Sequence, residues 1–490
     1  MNATTVPRRK MTLTVLQRVA MLPVAMLALV VLTACTPDLY RGQPLPFYLA
    51  ELPIEPSLGA DGRLGRQRPM IAAEESALSA DALIPVPLDR ALRVSVTSHP
   101  SVRAMLEKVV QSRADHLTAS LLPNPSLALG YSLAPIPGAG FNANTRQGGP
   151  PQFDLGIGLL VDALLFGKRD AAIRAAQLEV DTVLAEYADA GRRLILRVVD
   201  DYYAAVVAQR ASDLDRQEVA TLERFTVSIE RQVSLRDATR IELDRARTAL
   251  ALARARAARS AVERDNALTR FRTALVGVEG GERAVPVDDL GPPPTDVMPT
   301  YAAALARAEQ NRPDLIARQR DLVAAQAAVE REQANAWPWF RVSPGYTRQF
   351  QRRAVGFPDA NAWGIGLEAS LPLFDRNQGN IALAQSLVRQ SELELQAVRG
   401  EVAAEVAQAL RDHDGARQVA VIVDGEAVAA AERARQGVEE ARVLGSRTLL
   451  EVLDARAACL EIYREQIRAR AEVQRTRERL RAIIGNDEWP

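Results

Sequence analysis

Apolar side chains recur between residues 173 and 205 at intervals of three, four and seven: Ile173, Val180, Leu184, Tyr187, Leu194, Val198 and Ala205. That spacing gathers them on one stripe of a helix and sustains it as a coiled-coil-like seam. No proline occurs from Gln152 to Val285, nor from Leu373 to Trp489. An interior proline destabilises a helix by about 3 kcal/mol, so both runs suit uninterrupted helices. A helix of about 60 residues spans roughly 90 Å, which is a rod rather than part of a globule.

A second pattern has a period of two. Leu127, Leu129, Tyr131 and Leu133 alternate with Ser126, Ala128, Gly130 and Ser132. Leu155, Ile157, Leu159 and Val161 alternate likewise, as do Trp363, Ile365, Leu367, Ala369 and Leu371 against Gly364, Gly366, Glu368 and Ser370. Phe340, Val342, Tyr346 and Phe350 complete the set. Strands with one apolar face and one small or polar face suit a sheet that is apolar outside and wet inside. Turn-forming loops at 134–151 and 351–361 separate them.

The chain also repeats itself. LGIGLLVDALLFGKRDAAIRAAQ (155–177) aligns without a gap on WGIGLEASLPLFDRNQGNIALAQ (363–385), and His99-Pro100 falls opposite Arg312-Pro313. The period is far too long for a solenoid, so a whole domain is duplicated. Each half reads as helix, strand, loop, strand, very long helix, turn, helix. The expected boundaries are 1–34, a signal; 35–87, a proline-rich wrap; 88–279, the first repeat; 280–299, a linker; 300–485, the second repeat; and 486–490, a tail. Two strands per half cannot close a barrel, and the bilayer does not tolerate an open sheet edge. Other copies of the chain must complete the sheet, which makes the protein a homo-oligomer.

Composition narrows the function. Among 490 residues, Lys and Arg number 61 and Asp and Glu also 61, so no basic field invites nucleic acid. Two cysteines, Cys35 and Cys459, are too few for a disulfide framework, and three scattered histidines have no ligand spacing. No metal site and no cofactor is expected. P-loop, zinc-protease and nucleophile-elbow motifs are missing, so any energy source lies in another protein.

Arg8, Arg9, Lys10 and Arg18 lead into an apolar run from Val19 to Leu32, the order of a secretory signal. The ending Leu32-Thr33-Ala34-Cys35 resembles the bacterial lipobox, which implies that Cys35 becomes the lipid-bearing first residue. Thr36, where an aspartate is not found, implies sorting to the outer membrane. Removal of residues 1–34 takes four positive and no negative charges, leaving the mature chain four charges negative.

In GSRTLLEVLDA (445–455), Arg447, Glu451 and Asp454 stand at i, i+4 and i+7, opposite Leu449, Val452 and Leu453. If the stretch is helical they share one face. The three residues suit a solvated ion-paired face, a catalytic carboxylate pair or the lining of a pore. A catalytic pair needs a cleft and separately tuned pKa values, and a helix tip provides neither.

Taken together, the lipobox, the duplicated strand–helix unit, the Pro dipeptides and LGSRTLLEVLDAR (444–456) resemble the TolC family of outer-membrane efflux channels, over nearly the whole mature chain. LLPNPSLALGY and FGKR look most similar to the branch serving heavy-metal pumps. The resemblance implies a mainly α fold with a small transmembrane β part. Long antiparallel α-helical hairpins would form an α-barrel, and four strands per chain would complete a trimeric twelve-stranded β-barrel. It implies a non-enzymatic, passive exit duct for drugs or metal ions. Expected partners are two further copies of the chain, outer-membrane lipid, a periplasmic adaptor and an inner-membrane pump of RND type. Arg447, Glu451 and Asp454 then fall at the periplasmic gate, with Glu242 and Asp244 as first-half counterparts. Carboxylates ringed about one axis favour cations, and their mutual repulsion raises their pKa values. Leu444, Gly445 and Ser446, with Val233, Ser234 and Leu235, become the adaptor-docking tips. The competing reading is a structural periplasmic coiled-coil lipoprotein, which would have no use for the four alternating strands.

Overall fold

The computed structural model describes residues 83–132, 150–292, 298–354 and 356–485. The export signal, Cys35, most of the proline-rich segment and nearly all of the first loop lie outside them. Among the described residues no helix is long and apolar enough to cross a membrane.

The chain opens with β1 (Ile84–Val86), α1 (Leu88–Ser98), α2 (Pro100–Ser120), β2 (Ser126–Ser132) and β3 (Gln152–Leu160). The helix α3 follows as one piece from Lys168 to Ser234, 67 residues and about 100 Å. After a tight turn α4 (Arg240–Thr273) runs back, and β4 (Ala284–Pro286) closes the first repeat. The second repeat has α5 (Tyr301–Asn311), α6 (Pro313–Asn335), β5 (Phe340–Gln349), the short α7 (Gln351–Ala354) and β6 (Ala360–Ala369). Its long helix is α8 (Gln378–Ile422), a π turn at Val423–Ala427, and α9 (Val428–Val443), with α10 (Leu449–Ile484) returning. The expected mainly helical architecture with four strands in its main sheet is present.

The seam read from the periodicity is the inner stripe of α3: Val180, Leu184, Tyr187, Leu194, Val198 and Ala205 are buried and Ile173 is half-buried. Alanine-rich clusters such as Ala304, Ala308, Val402, Val406, Leu480 and Ile484 hold the second repeat's helices together.

The single helix expected before each strand pair is two helices. His99 and Arg312 adopt extended backbone angles, and Pro100 and Pro313 begin the next helix. A proline excludes the helical conformation from the residue before it, yet it suits a first helical position.

The segments read as a wrap and a linker also acquire structure. Ile84–Val86 pairs in parallel with Ala284–Pro286. Tyr202, fully buried in the middle of α3, fastens both: its hydroxyl donates to the Val86 carbonyl (3.2 Å) and accepts from the Val287 N–H (3.3 Å).

The four long strands form one antiparallel sheet in the order β2-β3-β5-β6, so the repeats meet at β3 and β5. Leu127 pairs with Ile157, Leu155 with Tyr346, Val342 with Leu367 and Tyr346 with Trp363, placing these on one face. On that face Leu129, Trp363 and Ile365 are among the most exposed apolar side chains. The opposite face carries Ser126, Gly156, Gly158, Gly345, Gly364 and Gly366, with an Arg341–Glu368 ion pair at 3.0 Å. Pro344 sits inside β5, where pairing with β3 skips it, because proline lacks the N–H for that ladder. Leu371, read as the end of a strand, lies beyond β6.

Candidate functional site

The two hairpin tips are built alike, residue for residue. Leu235 and Leu444 cap the outgoing helices, and the next residue, Arg236 or Gly445, is left-handed with φ of 66° or 74°. The N–H after it, of Asp237 or Ser446, returns to Gln232 O (2.8 Å) or Ala441 O (3.0 Å). This is the helix-ending motif that favours glycine, and the first tip forms it with an arginine. The missing glycine therefore changes the turn's energy and leaves its shape intact.

Each returning helix starts on a reciprocal capping box. Thr239 N–H donates to Glu242 Oε2 (2.9 Å) while Glu242 N–H donates to Thr239 Oγ1 (3.2 Å). Thr448 N–H donates to Glu451 Oε2 (2.8 Å) while Glu451 N–H donates to Thr448 Oγ1 (3.4 Å). The threonine–glutamate spacing was visible in the sequence, but its capping role was not inferred from it.

The second oxygen of each glutamate receives an arginine. Arg447 donates to Glu451 Oε1 at 2.7 Å. Arg442, at the end of α9, reaches across to Glu242 Oε1 at 3.4 Å and so ties the second hairpin to the first. The cap bond from Thr239 lowers the Glu242 pKa below the ordinary carboxylate value, and the cap bond from Thr448, followed by Arg447, does the same for Glu451. Within one chain the direction is thus opposite to the rise expected from crowding in a ring. The reason is that both carboxylates accept backbone N–H donors, which favour the ionised form.

Two expectations are corrected. Arg447 lies in the turn, one residue before the cap Thr448, so it does not share a helical face with Glu451 and Asp454. It reaches Glu451 all the same because the cap turns that side chain back toward the turn. Asp244 is not the partner of Asp454: the 209-residue offset that matches Thr239 to Thr448 matches Asp244 to Leu453 and Arg245 to Asp454. Asp244 and Asp454 are both exposed.

The docking candidates divide. Leu235, Leu444 and their neighbours Ile241 and Val443 are highly exposed, an unusual run of bare apolar side chains. Ser234 and Ser446 turn their hydroxyls onto Arg231 O and Ala441 O. Val233 packs inward on the cluster of Ile229, Ala246 and Leu449, which joins the two hairpins just above the tips.

Farther up, the four long helices border a cleft of about 1000 Å³ lined by Asp200, Arg270, Arg411, Asp412, Glu472 and Arg475 among others. No group of His, Cys, Asp or Glu among the described residues is arranged to hold a metal ion. Cys459 is buried, with its thiol against Glu432.

A sheet with a bare apolar face and open edges, continued by helical hairpins about 100 Å long, defines one subunit of an oligomeric outer-membrane channel. The family described as outer membrane efflux protein matches residues 92–277 and 304–486, and this chain belongs to it. The chain is an efflux channel of the outer membrane and has no enzymatic role; it extends into the periplasm, and its family implies a trimer working with an adaptor and an inner-membrane pump.

The cobalt-zinc-cadmium resistance protein CzcC of Cupriavidus metallidurans is 25% identical over 319 residues, 64% of this chain and 68% of that protein. Protein CyaE of Bordetella pertussis is 27% identical over 350 residues, 69% and 71% of the two chains. Among solved structures, a membrane protein from Pseudomonas aeruginosa superposes with a TM-score of 0.68 at 19% identity, over 83% of this chain and 94% of that one. The Campylobacter jejuni CmeC outer membrane channel superposes with a TM-score of 0.66 at 15% identity, over 81% and 85%.

Proposed function

We propose that three copies of this chain, anchored by lipid on Cys35, form a twelve-stranded barrel over a helical tunnel and act as the passive exit duct of a metal-exporting pump of RND type. Similarity to a cobalt-zinc-cadmium resistance protein supports metal cations over drugs as cargo. Selection among metals falls to the pump, since the duct has no site of soft ligands among its described residues. The periplasmic tips are the gate. Arg447 and Arg442 hold the capping carboxylates Glu451 and Glu242 at the closed tip, Asp454 adds negative charge one turn above Glu451, and adaptor docking on Leu235, Ile241, Val443 and Leu444 releases the ties. Gly445, Ser446 and Ser234 shape the turns on which those side chains stand, while Val233 and Asp244 have no direct part.

The observation that carries this reading is the pair of arginine-bound capping glutamates at equivalent places on both tips. Single-channel recording of Arg447→Ala, alone and with Asp454→Ala, tests it. The first variant should open more readily, and the second should also lose cation preference. Wild-type conductance and selectivity in both would overturn the gate assignment.

A further inference from the structure

Along the long helices the repeats slip register by one residue. From β3 and β6 through the upper half of those helices, counterparts are 208 residues apart: Gly156 and Gly364 in the strands, then the buried pairs Leu194/Val402, Val198/Val406 and Ser212/Ala420. Below that level the interval is 209. Glu223 and Glu432 correspond, as do the ion pairs Glu230–Arg247 and Glu439–Arg456, both at 2.8 Å, and the two capping boxes. One additional residue has therefore entered the second long helix between Ala420 and Glu432. It is stored in the π turn Val423–Ala427, where the Val428 N–H bonds back to the Val423 carbonyl, while α3 is unbroken α-helix. A π turn absorbs one residue while the helix on either side keeps its packed face.

The helix is soft around and below that point. Gly415, Gly425 and Gly437 stand in helix where an added Cβ would meet nothing within 4 Å in the same chain, so packing within the chain does not require them, and each weakens the helix relative to alanine. Within one chain no residue of α9 is buried, whereas the matching part of α3 buries Leu222, Thr226 and Ile229. The turn itself is gripped from one side. Arg470 Nε donates to both Asp424 oxygens at 3.0 Å, Gln466 adds a bond of 2.8 Å, and Arg470 also holds the Leu290 carbonyl at 3.2 Å.

We propose that Val423–Ala427 is the hinge of the periplasmic gate: α9 and the second tip swing about the π turn while α8 stays fixed, and the Asp424–Arg470 grip restrains the swing. The inference rests on reading the tips as a gate. Bends in helices concentrate at such turns, and a restraint on the turn sets the balance between closed and open positions.

Deletion of Gly425 tests it, because it restores the 208-residue interval and an unbroken α-helix without rotating either packed face. The full-length variant, recorded in planar bilayers, should assemble with the wild-type open conductance and an open probability lowered about tenfold. Asp424→Asn weakens the grip and should raise open probability. Wild-type open probability in the deletion variant overturns the hinge. Should the deletion fail to assemble, wild-type open probability in Asp424→Asn overturns it instead. A wild-type protein that stands permanently open, with Arg447→Ala no different, refutes the gate itself and is thereby distinguishable from failure of the hinge alone.

Discussion

Replacing Arg312 by alanine should destabilise the protein by about 3 kcal/mol, the lower end of what removal of one partner from a buried ion pair costs. Its side chain is 2% exposed, and its planar fork meets Asp314 twice, Nε to Oδ1 at 3.0 Å and a terminal nitrogen to Oδ2 at 2.5 Å. The other terminal nitrogen reaches Glu405 of α8 at 2.6 Å. The lower end applies for two reasons. Asp314 retains Arg192 of α3 at 3.1 Å and the Leu315 N–H at 2.9 Å, and Glu405 is half exposed. Burial pushes the Asp314 carboxyl up, but Arg312 and Arg192 together outweigh it and hold the pKa below the ordinary value. The contribution is therefore complete above the unfolded-state pKa of about 4 and is lost as pH falls through the folded one. Denaturant unfolding of the detergent-solubilised protein, followed by helical circular dichroism, supplies the measurement. Arg312→Ala and Asp314→Ala should be strongly non-additive, and Arg312→Lys should recover only part of the loss because a lysine cannot form the fork. Additive single losses, or an Arg312→Ala variant within about 0.5 kcal/mol of wild type, would refute the reasoning.

Three other outcomes can be checked directly. Arg236→Gly should stabilise by about 1 kcal/mol, and Gly445→Ala should destabilise by a similar amount, because both positions are left-handed; opposite shifts in melting temperature are the readout. Tyr202→Phe should cost about 1–3 kcal/mol by leaving the Val287 N–H and Val86 carbonyl without their partner, seen as faster hydrogen exchange at 84–86 and 284–287. Hydrogen bonding from Arg435, with help from Tyr463, lowers the Glu432 pKa to about 2, and burial together with Glu432 pushes Tyr463 up to about 12. The stability difference between wild type and Glu432→Gln should be constant above pH ~4.5 and disappear as pH falls toward 2, since a depressed carboxylate stabilises only while ionised.

What the sequence determined by itself was whatever has a local period. The α3 seam, the alternating strands and the duplication were all legible because a stripe repeating every 3.6 residues or a face repeating every two is written in neighbouring positions. The need for further copies of the chain followed from strand number and the intolerance of lipid for open edges. The alignment of the tips was legible only in part: both threonine–glutamate spacings were present, but only the matched capping boxes fix the interval at 209, which sets Asp244 opposite Leu453.

Only the tertiary structure decided the rest. Strands of three residues, Ile84–Val86 and Ala284–Pro286, are too short to carry a period and exist because Tyr202 and a distant partner hold them. Arg442 finds Glu242 on the other hairpin, and Arg447 finds Glu451 by way of a cap rather than a helical face. A π turn is a choice of hydrogen-bond partner made when flanking faces are pinned against other helices. Local pattern sets which face of a segment is buried, but the partner across hundreds of residues sets where the segment bends, ends and is tied.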